Sequence, residues 1–222
     1  MATLKFFGHA CFELAEKNTS LIFDPFFSGN TWNIAAASDV NPNYLLISHG
    51  HADHLGDGLD IAKRTNATTI STFEIASLFS NENYPAHPMH IGGKYDFDFG
   101  WVKIIAAFHG AGVPGGHACG FLVNFFGKVI YFAGDTSLFG DMALIGKTAK
   151  VDYALLPIGD NFTMGPEDAK EAAKLINPKV VIPMHYSTWP PITQSPEDFK
   201  ASVEKETSIA VKIVAPGEKI EL

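Results

Sequence analysis

The chain has 222 residues, 46% of them hydrophobic and 18% charged, which excludes a disordered chain and predicts one domain spanning residues 1–222 around a sizeable core. Sixteen Lys and Arg against 24 Asp and Glu leave a formal net charge of −8, which excludes long nucleic acid as an expected partner because nothing drives counterion release. Two distant cysteines, Cys11 and Cys119, exclude a disulfide scaffold, and a start broken by His9 and Glu13 with no 18-residue apolar run anywhere predicts a soluble cytoplasmic protein with no membrane association.

Short apolar runs separated by turn residues predict strands at Leu4–Phe7, Cys11–Leu14 and Leu21–Phe23. The stretch from Asp24-Pro25 to Asn43 is too irregular for an element yet carries Phe26, Phe27, Trp32 and Ile34, which reads as a lid or a subunit interface. A buried strand at Tyr44–Ile47 precedes a helix over Leu59–Arg64, and the alternation repeats at Thr68–Ser71 and Phe73–Phe79. Tyr95–Phe99 with Val102–Ala107, and Gly120–Asn124 with Val129–Phe132, read as hairpins. Val151–Leu156, a helix opened by Pro166, Val180–Pro183, a helix from Pro196 through Val203, and a strand at Val211–Val214 complete the chain. Both halves open on hairpins and continue with strand and helix alternation. That predicts an α/β fold of two similar sheet-plus-helix halves packed face to face, a four-layer αββα sandwich.

The densest chemical signal is Ser48-His49-Gly50-His51-Ala52-Asp53-His54, an H-x-H-x-D-H run directly after a buried strand. On an extended loop alternate side chains share a side, so His49, His51 and Asp53 converge, and a turn lets His54 approach from another angle. Any one of these imidazoles alone reads equally well as a helix cap or a solvated loop residue. Together they suit Zn²⁺ first, with Mn²⁺ or Fe²⁺ where oxygen donors dominate. Four groups on one loop cannot all close on a single ion, which calls for ligands from elsewhere and leaves room for a second ion.

The sequence resembles the metallo-β-lactamase superfamily, and within it the small metal-dependent hydrolases related to sugar-lactone hydrolases. The resemblance runs through Phe7-Gly8-His9-Ala10-Cys11-Phe12, Ile22 to Phe26, the H-x-H-x-D-H run, Phe108-His109, Tyr131 to Thr136, Leu155 to Pro166 and Pro183-Met184-His185-Tyr186. It implies the αββα fold and two divalent metal ions, with His49, His51 and His109 on one, Asp53, His54 and His185 on the other, and Asp135 bridging. His109, Asp135 and His185 each follow a predicted strand, where open α/β sheets place their sites. His117 competes with His109 for the third histidine role, and the Phe-His context at the strand end favours His109.

His9 reads as a contact to the site or substrate, or as a plain turn histidine. Asp24 reads as the acceptor that fixes a ligand imidazole's tautomer, with an Asp-Pro turn as the alternative. Asp160 and Asn161, between a strand and a helix start, are pocket candidates on a loop suited to an anionic substrate group. Tyr186 and Trp189 are expected to line the pocket or to pack in the core.

The implied chemistry is hydrolysis by a hydroxide bridging two ions, with Asp53 orienting the nucleophile and relaying a proton. The expected substrate is a small polar metabolite with an ester, lactone or amide bond. A phosphodiesterase acting on small or cyclic phosphodiesters, and a metal-binding protein without turnover, are the alternatives. A homo-oligomer is left open.

Overall fold

The computed structural model describes residues 1–222 and places strands in two seven-stranded sheets with helices on their outer faces. The first sheet opens with β1 (Thr3–Gly8), β2 (Cys11–Glu16) and β3 (Thr19–Phe23), an antiparallel meander. It continues in parallel through β4 (Tyr44–Leu46), β5 (Thr68–Thr72) and β6 (Ala86–Met89), with α1 (Ala52–Leu55), α2 (Gly58–Thr65) and α3 (Phe73–Ser80) between them.

The second sheet repeats the plan. β7 (Lys94–Phe97), β8 (Gly100–Ala106), β9 (Cys119–Phe125) and β10 (Lys128–Phe132) are antiparallel. β11 (Tyr153–Pro157), β12 (Val180–Met184) and β13 (Ala210–Val211) add in parallel, joined by α4 (Met142–Thr148), α5 (Pro166–Ile176) and α6 (Pro196–Glu206). β14 (Lys219–Glu221) crosses back to pair with β1, tying the end of the chain to the first sheet.

The two sheets meet face to face through aromatic side chains. Phe23 of β3 stacks on Phe132 of β10 with centroids 4.6 Å apart and planes 10° apart. Outside the first sheet, Ile61 and Ala62 of α2 and Ile75 and Phe79 of α3 pack over Ile22, Leu45 and Ile47. Outside the second, α5 buries Ala169, Ala172, Ala173 and Ile176, the spacing of one helical face. Pro166 in its first turn with Glu167 and Asp168 starts this helix, and Asn177 in a left-handed conformation ends it. These layers are the expected αββα sandwich.

β6, β14 and α4 escape the sequence pattern. β6 carries His87 and Pro88, and a proline is tolerated there because β6 is an edge strand. β14 buries only Ile220, and α4 only Met142 and Ile145, too sparse a pattern to read. The expected strand over Val211–Val214 pairs only through Ala210–Val211. No helix is long and apolar enough to cross a membrane.

Candidate metal centre

The strands deliver chemistry-bearing residues to one edge of the sandwich. Asp24 follows β3, His49 lies just beyond β4, Asp135 beyond β10 and His185 beyond β12, while His9 follows β1. Asp24, His9 and His185 take left-handed backbone conformations, with φ of 40°, 59° and 53°. Such conformations cost about 1–3 kcal/mol each at non-glycine positions and gather at functional sites. Gly134 meets a related demand. At φ +61° a Cβ there would lie 2.7 Å from the Cys119 carbonyl and 2.9 Å from Ser48 Cβ, so glycine lets Asp135 follow close against the H-x-H-x-D-H segment.

That segment is not extended throughout. His49 and His51 lie on a loop, but α1 begins at Ala52, which corrects the expectation that His49, His51 and Asp53 share one side. The helical turn aims Asp53 toward His9 and His185, while the His54 ring stays 4.2 Å from that of His49.

Two clusters result. In one, His49 Nε2 is 2.9 Å from His51 Nδ1, and His109 Nε2 is 3.3 Å from that same nitrogen. In the other, Asp53 Oδ2 lies 3.6 Å from His54 Nε2, 3.8 Å from His185 Nε2 and 3.1 Å from His9 Nε2. Asp135 stands between them. Its Oδ2 is 3.3 Å from His54 Nε2, 3.2 Å from His185 Nε2 and 3.5 Å from His109 Nε2. His117 is exposed and joins neither cluster.

Hydrogen bonds behind the clusters set which ring nitrogens face inward. Asp24, fully buried, lies 2.6 Å from His54 Nδ1 and accepts from Ser48 N at 2.7 Å and Ser48 Oγ at 2.6 Å. With its proton on Asp24, the Ser48 hydroxyl accepts from His49 Nδ1 at 2.9 Å. Both rings then turn Nε2 to the interior, the nitrogen left for a metal ion when Nδ1 keeps its proton. His9, also buried, donates Nε2–H to Asp53, while its Nδ1 accepts from Thr188 Oγ1 at 2.8 Å.

Electrostatics follows from this burial. Burial, then the neighbouring His54, push the His49 imidazole down to about 2, and burial, then His185, push His9 down to about 4. Burial opposes charge on His54, but Asp135 and Asp24 outweigh it and raise its pKa well above the ordinary imidazole value. Burial likewise opposes charge on Asp135, yet His54 and His185 hold its carboxyl well below the usual range.

The donor set fits divalent cations. His54 Nε2, Asp135 Oδ1 and both ring nitrogens of His185 are buried without hydrogen-bond partners. The ion pairs of Asp24, Asp53 and Asp135 are with imidazoles alone, with no Lys or Arg among them. Inward-facing imidazole nitrogens without partners and carboxylates short of positive charge are what a cation satisfies.

Above these groups opens a cavity of about 670 Å³ lined by His51, Asp53, His109, Asp135 and His185, with Phe26, Phe162, Trp189 and Pro191 as its apolar walls. Asp160 and Asn161 do not line it. Both are exposed with positive φ, and they shape the turn that presents Phe162. Tyr186 packs in the large core rather than on the cavity, whereas Trp189 reaches it. The sequence reading missed Phe162 and Pro191 and placed Phe26 only in an undefined apolar stretch. Phe162 was visible as an aromatic in the very loop singled out for Asp160 and Asn161.

Residues 3–185 match the beta-lactamase superfamily domain. A protein of Natranaerobius thermophilus named UPF0173 metal-dependent hydrolase is 48% identical over 219 residues, 99% of each chain. A relative of the same name from Pelotomaculum thermopropionicum is 50% identical over 225 residues, 98% of each chain. Among solved structures, a metallo hydrolase from the hyperthermophilic archaeon Ignicoccus hospitalis superposes with a TM-score of 0.93 at 33% identity, covering 99% of this chain and 97% of that one. With identity running through the whole chain and a histidine and aspartate cluster suited to cations at its strand ends, this protein belongs to the metal-dependent hydrolases of the beta-lactamase superfamily.

Proposed function

We propose that the protein hydrolyses an ester, lactone or amide bond of a small molecule at two divalent cations, zinc being the first candidate. His49, His51 and His109 hold one, Asp53, His54 and His185 the other, and Asp135 both. The position of Asp135 Oδ2, within 3.5 Å of nitrogens from both clusters, carries this reading. Cations bound there supply a nucleophile at neutral pH by acidifying water, and polarise the oxygen that gains charge.

The chain's own residues do the rest. Asp53, the most exposed of the three carboxylates, lines the cavity and holds or passes a proton there. His9 fixes the Asp53 carboxylate from behind, and Thr188 fixes His9. Asp24 and Ser48 keep His54 and His49 in the tautomers that present Nε2. Phe26 and Trp189 restrict water on one wall. No serine or cysteine is required, and Cys11 and Cys119 are fully buried.

Carbonyl rather than phosphoryl substrates are favoured because no Lys or Arg lines the cavity to grip a phosphate. The test is turnover of a panel of neutral lactones and esters by protein as purified, after chelation, and after Zn²⁺ or Mn²⁺ is restored. Turnover lost with the metal and regained with it supports the proposal. Undiminished turnover by the stripped protein contradicts it.

A further inference from the structure

We infer that the cavity selects an uncharged substrate whose non-reacting part is a flat, apolar ring, held between Phe26 and Trp189 on one wall and Phe162 on another. The inference rests on the hydrolase reading for the reacting bond, and goes beyond it in naming what the rest of the substrate is.

The first wall is built in advance. Phe26 is 6% exposed, and its ring centroid lies 6.1 Å from that of Trp189 at 49°. The His9 ring completes the group, 5.5 Å from Phe26 and 4.9 Å from Trp189. Thr31 Oγ1 donates to the Thr188 carbonyl at 2.7 Å, tying the chain beyond Phe26 to the residue before Trp189. Aromatic faces fixed in this way favour offset or edge contacts with another ring.

Phe162 is the reverse case. It is 56% exposed, on a turn whose two preceding residues, Asp160 and Asn161, have φ of 62° and 50°. The Phe162 N–H donates to the Asp160 carbonyl, closing the turn under the ring. A large aromatic held out at a cavity wall, with most of its surface uncovered, has apolar area to bury when a ligand arrives.

Charge points the same way. The polar groups on the cavity are three histidines and two aspartates, all of them proposed ligands. Apart from the metal ions, whose charge faces the reacting bond, nothing on the walls supplies positive charge to a group held away from them. The chain has one arginine, Arg64, and its guanidinium is spent on the Ala37 and Val40 carbonyls. A substrate carrying a carboxylate or phosphate away from the reacting bond therefore meets no partner. A volume of about 670 Å³ suits a ring compound with short substituents rather than a polymer.

The test uses metal-loaded protein and two readouts. Binding is followed by tryptophan fluorescence with phenylacetamide and acetamide. Turnover is followed with dihydrocoumarin against δ-valerolactone, the same lactone ring without the fused arene, and against dihydrocoumarin-6-carboxylate, whose anion lies away from the reacting bond. Phenylacetamide is expected to bind more tightly than acetamide, and dihydrocoumarin to show the lowest KM. Phe162→Ala, at an exposed position where folding is not at stake, should weaken phenylacetamide and raise the dihydrocoumarin KM about fivefold, a larger change than it makes with δ-valerolactone. Acetamide binding as tightly as phenylacetamide, dihydrocoumarin-6-carboxylate matching dihydrocoumarin in KM, or a Phe162→Ala protein indistinguishable with every probe, overturns the inference. Ring-selective, Phe162-dependent binding without turnover of any lactone or ester contradicts the hydrolysis proposal and leaves this inference standing.

Discussion

Asp24 Oδ2 lies 2.6 Å from His54 Nδ1, and both side chains are completely buried. The carboxylate does not line the cavity above the histidines, yet it determines which nitrogen of His54 faces Asp53 and Asp135. Asp24→Asn puts an amide donor in competition with that ring proton. Metal affinity is expected to fall about 10–100-fold, read by competition with a chromophoric chelator. Unchanged affinity would show that Asp24 serves the Asp-Pro turn alone.

His9 acts on Asp53 in the same indirect manner. His9→Ala removes the 3.1 Å bond to Asp53 Oδ2 while leaving the proposed ligands intact. The expected result is kcat lowered about 10–100-fold with near-normal metal content. A loss of metal equal to that of a Asp53→Ala protein would instead make His9 a ligand in its own right.

His109 and His117 share the glycine-rich stretch between β8 and β9, and only His109 reaches the clusters. His109→Ala should cost metal and activity, and His117→Ala neither, by elemental analysis and turnover on the same preparations. The reverse pattern would overturn the assignment.

A separate prediction concerns acid stability away from the site. Lys174, then Lys170, hold the Glu206 carboxyl down to about 2, below its ordinary 4.5, linking α5 to α6. A carboxylate depressed on folding contributes stability that is present above about pH 4.5 and is lost as pH falls toward 2. Glu206→Gln should therefore be less stable than the parent at neutral pH, and the two should converge on acidification. Urea midpoints measured from pH 6 to pH 2.5 check it, and a gap that widens in acid would contradict the sign.

Much of the centre was legible because its residues sit at ends of strongly apolar strands. His49, His109, Asp135 and His185 follow β4, β8, β10 and β12, where local pattern and site geometry agree. The placement of Asp53 was not legible from alternation, since the chain turns helical at Ala52 and a single helical turn has no periodicity to read. The cavity walls were harder still. Phe26 and Trp189 meet across a gap in sequence that only the packing of both sheets closes, and no local signal separates a wall aromatic from a core one. Tyr186 shows the converse, an aromatic beside His185 that the core claims.

The measurement that bears most directly on this account is elemental analysis of protein purified without chelator or added metal, comparing the parent with Asp135→Ala. Asp135, whose Oδ2 lies within 3.5 Å of His54, His109 and His185 nitrogens, is the side chain proposed to hold both cations. The account predicts about two ions per chain in the parent and a clear fall in the variant, with both chains still folded. An Asp135→Ala protein that keeps the parent's full metal content, or a parent that binds none even when Zn²⁺ and Mn²⁺ are offered, would contradict it.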